Sequence, residues 1–571
     1  MLLLASAPDA DRIWWKESVV YEIYPRSFND SNGDGVGDLP GILERIDYLD
    51  WLGVDVIWLG PMYQSPNADN GYDISNYRAI MDEFGTMADF DRLLSALHER
   101  GMKLILDLVV NHTSDEHRWF EQSHQSTDNP YSDYYFWRPP AEDGGPPNEW
   151  QSFFGGPAWT LDETTGQYYL HLFDKKQPDL NWENPEVRAE VYDIMRFWLD
   201  KGVDGFRMDV IPLISKDLPF EPLPDDFDGD LGALYANGPR VHEFLQEMHA
   251  EVLQHYDIMT IGEGIGIEPE QATDYVGRDR NELDMIFDFD LAWIDRGERD
   301  GYPAPRAWSL SEMKQIVQRW NEALTPEGWT CNYLGNHDLP RMVSRFGNDE
   351  RFRRRSTKLL ATLICTLRGT PTLYQGDELG MTNVPFRSID DYRDVQSLNY
   401  YRDAVDTHGR PPEQALEVLG RVSRDHSRTP MQWSDAEHAG FTDGTPWIMV
   451  NPNYRQINAQ AQRDDEHSVL RYHRELIQLC HTHDALTYGA YEPLAPDHRD
   501  VWMYQRRGAE ETLLVVLNFA EAPLSFFDAS GAVPEGAELS LLLSNYAADM
   551  PDHPEQLRLR PYEARVYRID G

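Results

Sequence analysis

Charged and imidazole side chains occur in this sequence within or directly after short apolar runs of the kind that form buried strands. One such residue is ordinarily a capping group or part of a satisfied buried pair. Several of them at the carboxyl ends of parallel strands indicate a shared reactive site. They are Asp107, Asn111 and His112 in and after the run 103–110, Arg207 and Asp209 in 203–210, Glu263 in 258–264, and His337 and Asp338 in 332–338.

These residue types restrict the reaction. Carboxylates, histidines and an arginine without a Cys/His cage do not suggest zinc. The chain has no nucleophile elbow, no P-loop and no GxGxxG motif after the first strand. The motifs that commonly serve acyl, phosphoryl and hydride transfer are therefore missing from the sequence. What remains is a pair of carboxylates on the two sides of a glycosidic bond.

The surroundings of two carboxylates differ in the sequence. Arg207 lies two positions before Asp209, on the same side of a strand, and should favour the anion that a nucleophile needs. Glu263 stands between two glycines, without an adjacent base. We therefore expect Glu263 to keep a proton and to act as the general acid.

The elements that must position these residues follow a repeating pattern of strand and helix. Amphipathic stretches separate the apolar runs, and in 39–53 the leucines and isoleucines form one helical face. This alternation predicts a (β/α)8 barrel. The eight runs are 19–25, 54–60, 103–110, 203–210, 258–264, 283–290, 332–338 and 370–378.

Two segments depart from the repeat. Residues 112–180 are aromatic and rich in Gly and Pro, too long for a simple connection, and predict a subdomain inserted after the third strand. From 491 to 571 the runs alternate, which predicts an antiparallel β-domain. The barrel would then comprise 1–111 and 181–490, with 380–460 as a long functional loop region.

Net charge narrows the possible partners. The chain of 571 residues has 98 acidic and 51 basic residues, a formal charge of −47, which disfavours nucleic acid and anionic lipid. No stretch of about 18 apolar residues is present, so no membrane span is expected. Three cysteines argue against a disulfide framework. We expect a cytoplasmic protein, a monomer with a dimer as the alternative, from a salt-adapted host.

Four stretches together resemble the signature regions of the α-amylase superfamily, glycoside hydrolase family 13. They are "DLVVNH" (107–112), "GFRMDV" (205–210), "IGEG" (261–264) and "NHD" (336–338), in that order. Within the family, "QPDLNW" (177–182) and "RTPMQW" (428–433) are similar to the oligo-1,6-glucosidase and exo-acting α-glucosidase subgroup. The resemblance covers nearly the whole chain.

The resemblance implies a role for each matching residue. Asp209 would be the nucleophile, Glu263 the acid/base and Asp338 the third carboxylate. The remaining residues would bind the sugar. His112 and His337 would contact hydroxyls near the scissile bond, Arg207 would hold Asp209, and Asp69 with Arg424 would bind the terminal glucose on which Tyr72 stacks.

The bond preference stays open. In the family that this chain resembles, a valine after the nucleophile, here Val210, accompanies α-1,6 cleavage. The β-branched side chain would narrow the site next to the scissile bond. Ordinary strand packing is the other explanation for Val210. This chain also departs from the subgroup. Gly264 stands where a Met is usual, and "LGNHDLP" stands where "WNNHDQP" is common.

The stretch "FNDSNGDGVGDLPG" (28–41) resembles a calcium loop. An EF-hand requires a glutamate at the twelfth position, and counting from Asp30 that position is Gly41. A hard cation could still be held by one carbonyl and four side chains. The candidate ligands are Asp30, Asn32, Asp34, the Val36 carbonyl and Asp38. The family resemblance implies structural Ca²⁺ here, with Mg²⁺ as the alternative.

The sequence thus predicts a retaining exo-acting α-glucosidase for short isomalto- or malto-oligosaccharides, capable of transglucosylation. The alternatives are an isomerase of sucrose or trehalose and a trehalose-6-phosphate hydrolase, although no basic cluster for a phosphate is evident. A remote alternative is a non-catalytic amylase-like transporter subunit. Such a subunit needs a membrane anchor and can lose the carboxylates, whereas this chain keeps all three.

Overall fold

The computed structural model describes residues 12–223, 227, 230–299, 302–527, 533, 537–547 and 556–570. The strands, in chain order, are β1 (Val20–Ile23), β2 (Val56–Leu59), β3 (Tyr63–Gln64), β4 (Asn76–Ile80), β5 (Lys103–Leu108), β6 (Trp137–Arg138), β7 (Trp159–Asp162), β8 (Gln167–Leu170), β9 (Gly205–Met208), β10 (Met259–Glu263), β11 (Met285–Phe287), β12 (Arg296–Arg299), β13 (Tyr302–Pro305), β14 (Thr330–Asn332), β15 (Thr370–Tyr374), β16 (Ala490–Leu494), β17 (Val501–Arg507), β18 (Thr512–Asn518), β19 (Leu524–Phe527), β20 (Glu538–Ser544), β21 (Gln556–Leu559) and β22 (Ala564–Asp570).

The helices, also in chain order, are α1 (Trp14–Glu17), α2 (Leu39–Glu44), α3 (Ile46–Leu52), α4 (Met87–His98), α5 (Arg118–Ser123), α6 (Pro185–Asp200), α7 (Leu231–Tyr235), α8 (Val241–Glu251), α9 (Pro269–Val276), α10 (Phe289–Ala292), α11 (Leu310–Leu324), α12 (Met342–Phe346), α13 (Arg353–Thr366), α14 (Val395–Arg402), α15 (Pro412–Val422), α16 (Ala459–Asp464), α17 (Val469–Thr482) and α18 (Asp484–Thr487). None of these helices has the length and apolar character needed to span a bilayer.

A closed parallel barrel forms the centre of the protein. Its strands follow one another in the order β1, β2, β5, β9, β10, β11, β14 and β15, and β15 pairs with β1 to close the ring. The strands are buried on both faces because helices cover the outside, which explains their near-continuous apolar runs. The predicted (β/α)8 barrel is confirmed.

The two additions to the barrel are confirmed as well. Between β5 and β9 the chain forms α5 and a three-stranded antiparallel sheet in the order β6, β8, β7. After α18 it forms a five-stranded sheet in the order β16, β17, β18, β22, β20, and β19 pairs with β21. Lys314 of α11 joins the C-terminal domain to the barrel, because its ammonium donates to the carbonyl oxygens of His498 (2.7 Å) and Val501 (2.6 Å).

Several element boundaries differ from the sequence prediction. The stretch 39–53 forms two helices, because the backbone leaves helical geometry at Arg45. The seventh barrel strand is β14, which ends at Asn332, so His337 and Asp338 lie in the following loop and not on the strand. The expected loop region 380–460 contains two regular helices, α14 and α15.

One glycine is required where β9 enters the barrel. Gly205 has φ = 150°, and a Cβ there would lie 2.0 Å from the backbone oxygen of Met259 on β10. Backbone atoms of a barrel strand cannot move aside without breaking the ladder that positions Arg207 and Asp209. Glycine is therefore the residue that fits at this position.

We expect Gly205→Ala to destabilise the fold by about 3 kcal/mol, the upper range for overpacking a core. Gly420→Ala in α15 is the matched control, because a Cβ there meets nothing within 4 Å and alanine favours a helix by roughly 1 kcal/mol. Urea unfolding of both variants provides the measurement. Equal midpoints for the two variants would contradict this account of Gly205.

Candidate active site

Asp209 and Glu263 lie side by side at the barrel mouth. Asp209 follows β9 and Glu263 ends β10, and these neighbouring strands pair in register. The guanidinium of Arg207 lies between them, with Nη1 2.7 Å from Asp209 Oδ1 and Nη2 2.6 Å from Glu263 Oε1. Their separation is therefore limited to the width of one guanidinium and two hydrogen bonds.

Arg207 is almost fully buried and has a third carboxylate partner. Its Nη1 also donates to Asp107 Oδ1 (2.7 Å), and its guanidinium lies over the Trp58 ring, 5.1 Å from the centroid. Burial alone would lower the pKa of Arg207, but Glu263, Asp107 and Asp209 raise it well above the usual value. The arginine is thus a fixed positive charge at the base of the site.

Asp209 has an environment with opposing influences. Burial is the main cause that raises its pKa well above the usual value, and the charges of Glu263 and Asp107 add to it. Arg207 acts in the opposite direction. Arg207 favours the Asp209 anion as expected, but burial, with the charges of Glu263 and Asp107, outweighs it.

Glu263 has two polar partners that its sequence neighbours do not indicate. Its Oε1 accepts a hydrogen bond from Arg207 and its Oε2 accepts one from the Val210 amide at 2.9 Å. The sequence did not reveal the Val210 contact, because Val210 has φ = 36°, an uncommon conformation for a β-branched residue.

A second charged cluster surrounds Asp338. Its Oδ1 accepts from Arg424 Nη1 (3.1 Å) and Arg428 Nη2 (2.7 Å), and its Oδ2 lies 3.3 Å from His337 Nε2. Burial alone would raise the pKa of Asp338, but His337, Arg424 and Arg428 lower it well below the usual value. Asp338 is therefore an anion at neutral pH.

His337 is the centre of a buried hydrogen-bonded chain. Its Nε2 lies 2.6 Å from the Tyr72 hydroxyl and its Nδ1 lies 2.5 Å from Glu22 Oε1. Burial would lower the pKa of His337, but Asp338 and Glu22 raise it to about 10. The Tyr72 ring already stacks on His337 (centroids 5.2 Å apart), so only its other face is left for a ligand.

Asp69 and Arg424 form a buried pair. Arg424 Nη2 lies 3.1 Å from Asp69 Oδ1, and both residues are under a tenth exposed. Their ion pair is therefore largely removed from solvent. Burial raises the pKa of Asp69 to about 7, although Arg424 and Arg428 oppose the shift. Arg424 is also held by Asp394 (Nε–Oδ1 3.0 Å).

His112 lies next to this pair. Gln177 Nε2 is 3.1 Å from His112 Nε2 and donates to Asp69 Oδ2 at 3.1 Å. Burial lowers the pKa of His112 to about 4, so the imidazole is neutral. Gln177 therefore joins the two residues that the sequence had predicted separately.

Several residues that complete the site were not predicted. Lys216 is buried and contacts Asp179 Oδ2 (2.7 Å) and Asn111 Oδ1 (2.6 Å), which ties the inserted subdomain to the loop after β9. Gln177 and Asp179 belong to the recognised stretch 177–182, so a signal for them was available. Arg428 likewise begins the recognised stretch 428–433, whereas nothing in the sequence distinguishes Asp394 or Glu22 from other charged residues.

These side chains surround one pocket of about 180 Å³. Of the predicted residues, eight line it, and Arg207 and His337 lie buried behind the lining. The pocket is lined by Asp69, Tyr72, His112, Phe153, Phe154, Phe173, Asp209, Val210, Leu231, Glu263, Ile265, Phe289, Ala292, Trp293, Arg296, Gly297, Tyr333, Asn336, Asp338, Leu339, Gln396 and Arg424. Charges at one end and aromatic rings around them suit a small polar ring with apolar faces.

The loop of residues 30–38 is built from successive side-chain to backbone hydrogen bonds. Asp30 Oδ1 accepts from the Asn32 amide (2.9 Å), Asn32 Oδ1 from Asp34 (2.9 Å), and Asp34 Oδ1 from Val36 (2.9 Å). Asp38 caps α2 by accepting from Gly41. Among the described residues no three His, Cys, Asp or Glu side chains gather as metal ligands, so a cation here would also need the Asn32 and Val36 oxygens.

Comparison with known proteins agrees with this architecture. Residues 22–489 match the family described as "Alpha amylase, catalytic domain". The chain is 54% identical over 562 residues to an oligo-1,6-glucosidase of Parageobacillus thermoglucosidasius, covering 98% of this chain and 99% of that protein. It is 48% identical over 562 residues to a trehalose-6-phosphate hydrolase of Bacillus subtilis (strain 168), covering 97% and 98%.

The solved structures give the same result. An isomaltulose synthase from Klebsiella sp. LX3 superposes with a TM-score of 0.94 at 45% identity, covering 98% of this chain and 100% of that chain. The four motifs, the barrel with its two additions and the full-length similarity agree. The chain belongs to the α-amylase family of glycoside hydrolases, glycoside hydrolase family 13.

Proposed function

We propose that this protein is a retaining exo-acting α-glucosidase that releases glucose from the non-reducing end of short isomalto- or malto-oligosaccharides. The observation that carries the proposal is the contact of one buried guanidinium with both Asp209 and Glu263. Two carboxylates bridged by one guanidinium fit the double-displacement mechanism, in which one carboxylate attacks the sugar directly and the carboxyl groups lie about 5 Å apart.

In this mechanism Asp209 attacks the anomeric carbon and Glu263 gives a proton to the departing glycosidic oxygen. A bond forms between the sugar and Asp209, and the leaving alcohol departs neutral. Glu263 then takes a proton from water, which attacks the anomeric carbon and releases Asp209. Glu263 is positioned for this exchange by its contacts with Arg207 and the Val210 amide.

The far end of the pocket supports exo-action. Asp69, Arg424 and Gln177 form a hydrogen-bonded group there, and Arg424 lies over the Phe154 ring, 4.9 Å from the centroid. These polar groups would bind the hydroxyls of the terminal glucose, and with the Phe154 ring in this position no further sugar would fit beyond them. Each cut then releases a single glucose.

The proposed substrate class is supported by the names of similar proteins. Curated proteins about half identical to this chain are named oligo-1,6-glucosidases, which supports α-1,6 bonds. The isomaltulose synthase and trehalose-6-phosphate hydrolase relatives support the alternative activities only as related members of the family. No described contact singles out sucrose or a phosphorylated sugar.

Initial rates on isomaltose, maltose, sucrose and trehalose 6-phosphate test the proposal. We expect glucose from isomaltose to form fastest, with no isomaltulose from sucrose. Asp209→Ala should reduce turnover by at least about 10⁴-fold, because no nucleophile remains, with an unchanged melting temperature. Isomerised sucrose as the main product, or persistent glucose release by the variant, would contradict the proposal.

Val210 provides a test of bond preference. Its side chain lines the pocket and packs with Leu231 and Ile265, next to the scissile bond. We expect Val210→Ala to lower the ratio of kcat/KM for isomaltose to that for maltose by roughly tenfold, about 1.4 kcal/mol in transition-state binding. Leu213→Val, in the same apolar cluster but outside the pocket lining, is the control. An unchanged ratio for Val210→Ala would contradict this role.

We also propose that the loop of residues 30–38 binds one structural Ca²⁺. The successive hydrogen bonds already fold residues 30–36 into a compact loop, and Asp30, Asn32, Asp34 and the Val36 carbonyl offer the oxygen ligands that Ca²⁺ prefers. Asp30 also accepts from Thr442 at Oδ2 (2.5 Å), so a cation would stabilise the contact between the loop and the segment after α15.

Chelation provides the test. Dialysis against EGTA should lower the melting temperature by several degrees, and added Ca²⁺ should restore it, since a ligand that binds only the folded state stabilises it. Mg²⁺ in place of Ca²⁺ distinguishes the two ions. Asp34→Asn should weaken the response, whereas Asp443→Asn should not. A melting temperature independent of EGTA would refute the proposal.

A further inference from the structure

A loop of the inserted subdomain separates the active-site pocket from a second groove. Phe154 and Phe173 line both spaces. The groove has a volume of about 810 Å³, and its walls include Trp150, Gln151 and Arg402. Aromatic and amide side chains of this kind bind sugars, so the groove could receive a sugar residue if the wall between the two spaces were open.

The wall consists of aromatic rings. Phe153 stacks on Phe173, with centroids 5.2 Å apart, and Phe154 meets Phe173 edge-on at 5.5 Å. The charged end of the pocket touches the same wall, because Arg424 lies over Phe154. Gly155 and Gly156 follow in left-handed conformations, with φ values of 85° and 77°, and turn the chain back. The position of Phe154 therefore decides where the pocket ends.

Two side chains of α14 hold this loop in place. Gln396 Nε2 donates to the Phe153 carbonyl oxygen at 3.0 Å, and Asn399 Nδ2 donates to the Phe154 carbonyl oxygen at 3.2 Å. Residues three apart lie on the same face of a helix, so both amides face the loop. Gln396 Oε1 also accepts from Arg296 Nη2 at 3.4 Å, which connects the same helix to the β12–β13 hairpin.

We propose that Gln396 and Asn399 form a latch that keeps the aromatic wall closed and thereby limits the products to single glucose units. The proposal rests on the exo-acting α-glucosidase activity proposed above. With the latch broken, residues 152–156 separate from α14, and the pocket becomes continuous with the groove. A second sugar residue of an α-glucan chain can then lie beyond the terminal glucose site.

Gln396 and Asn399 act through the loop backbone and are positioning residues. The latch therefore predicts a change in product length and in KM, which a merely structural role would not produce. Loss of the wall should raise KM for a disaccharide, which depends on the closed pocket, more than it lowers kcat. It should also allow cuts that release disaccharides or longer products from a hexasaccharide.

The experiment compares wild type, Gln396→Ala/Asn399→Ala and the isosteric Gln396→Glu/Asn399→Asp on isomaltohexaose and maltohexaose, with products resolved by chromatography at early times. The isosteric pair keeps the shape of both side chains and removes both donors, so it carries the test if the alanine pair fails to fold. Gln414→Ala on α15 is the control, because Gln414 is exposed and has no part in the pocket or the loop.

We expect products longer than glucose to rise at least about tenfold in both latch variants, since each loses two hydrogen bonds of roughly 1 kcal/mol. The control should match wild type. Glucose as the sole product with unchanged KM in the latch variants would overturn the proposal, and so would lost activity without any longer product. Wild-type release of glucose tests the exo-glucosidase activity separately, since the latch concerns only the difference between variants and wild type.

Discussion

The contact between Arg207 and its carboxylates is the interaction on which the site depends. Three acidic side chains, Asp107, Asp209 and Glu263, converge on one guanidinium in a region almost without solvent. Buried charges persist only when they are paired. Because the carboxylates outnumber the cation, the base of the pocket has excess negative charge, which stabilises a sugar that becomes positive in the transition state.

The rest of the fold places these groups. Parallel strands bring residues that are distant in sequence to one rim of the barrel, and the inserted subdomain and α14 close the pocket from two sides. In the second charged cluster, Arg424 and Arg428 lie between Asp69, Asp338 and Asp394. Here one carboxylate, that of Asp338, contacts two guanidinium groups. One end of the pocket thus suits a developing cation, and the other fixes the hydroxyls of the terminal sugar.

Much of this could be predicted from the sequence. The apolar runs identified the barrel strands, and the residue types at their ends identified Asp209, Glu263 and Asp338 as neighbours. What failed depends on backbone geometry. The amide that contacts Glu263 belongs to Val210, which has a left-handed backbone, and the split of the first long helix follows from the backbone at Arg45. Asp394 and Gln396 lie in a segment predicted as loop. Without a predicted strand or helix, the sequence did not indicate that their side chains lie near the pocket.

The stereochemistry of the released glucose tests the central claim most directly. If Asp209 forms a covalent bond to the sugar and water then replaces it, two inversions occur, and α-glucose must appear first. Proton NMR of an early hydrolysis mixture, recorded before mutarotation mixes the anomers, distinguishes the two outcomes. The account predicts the α-anomer, and initial formation of the β-anomer would contradict it.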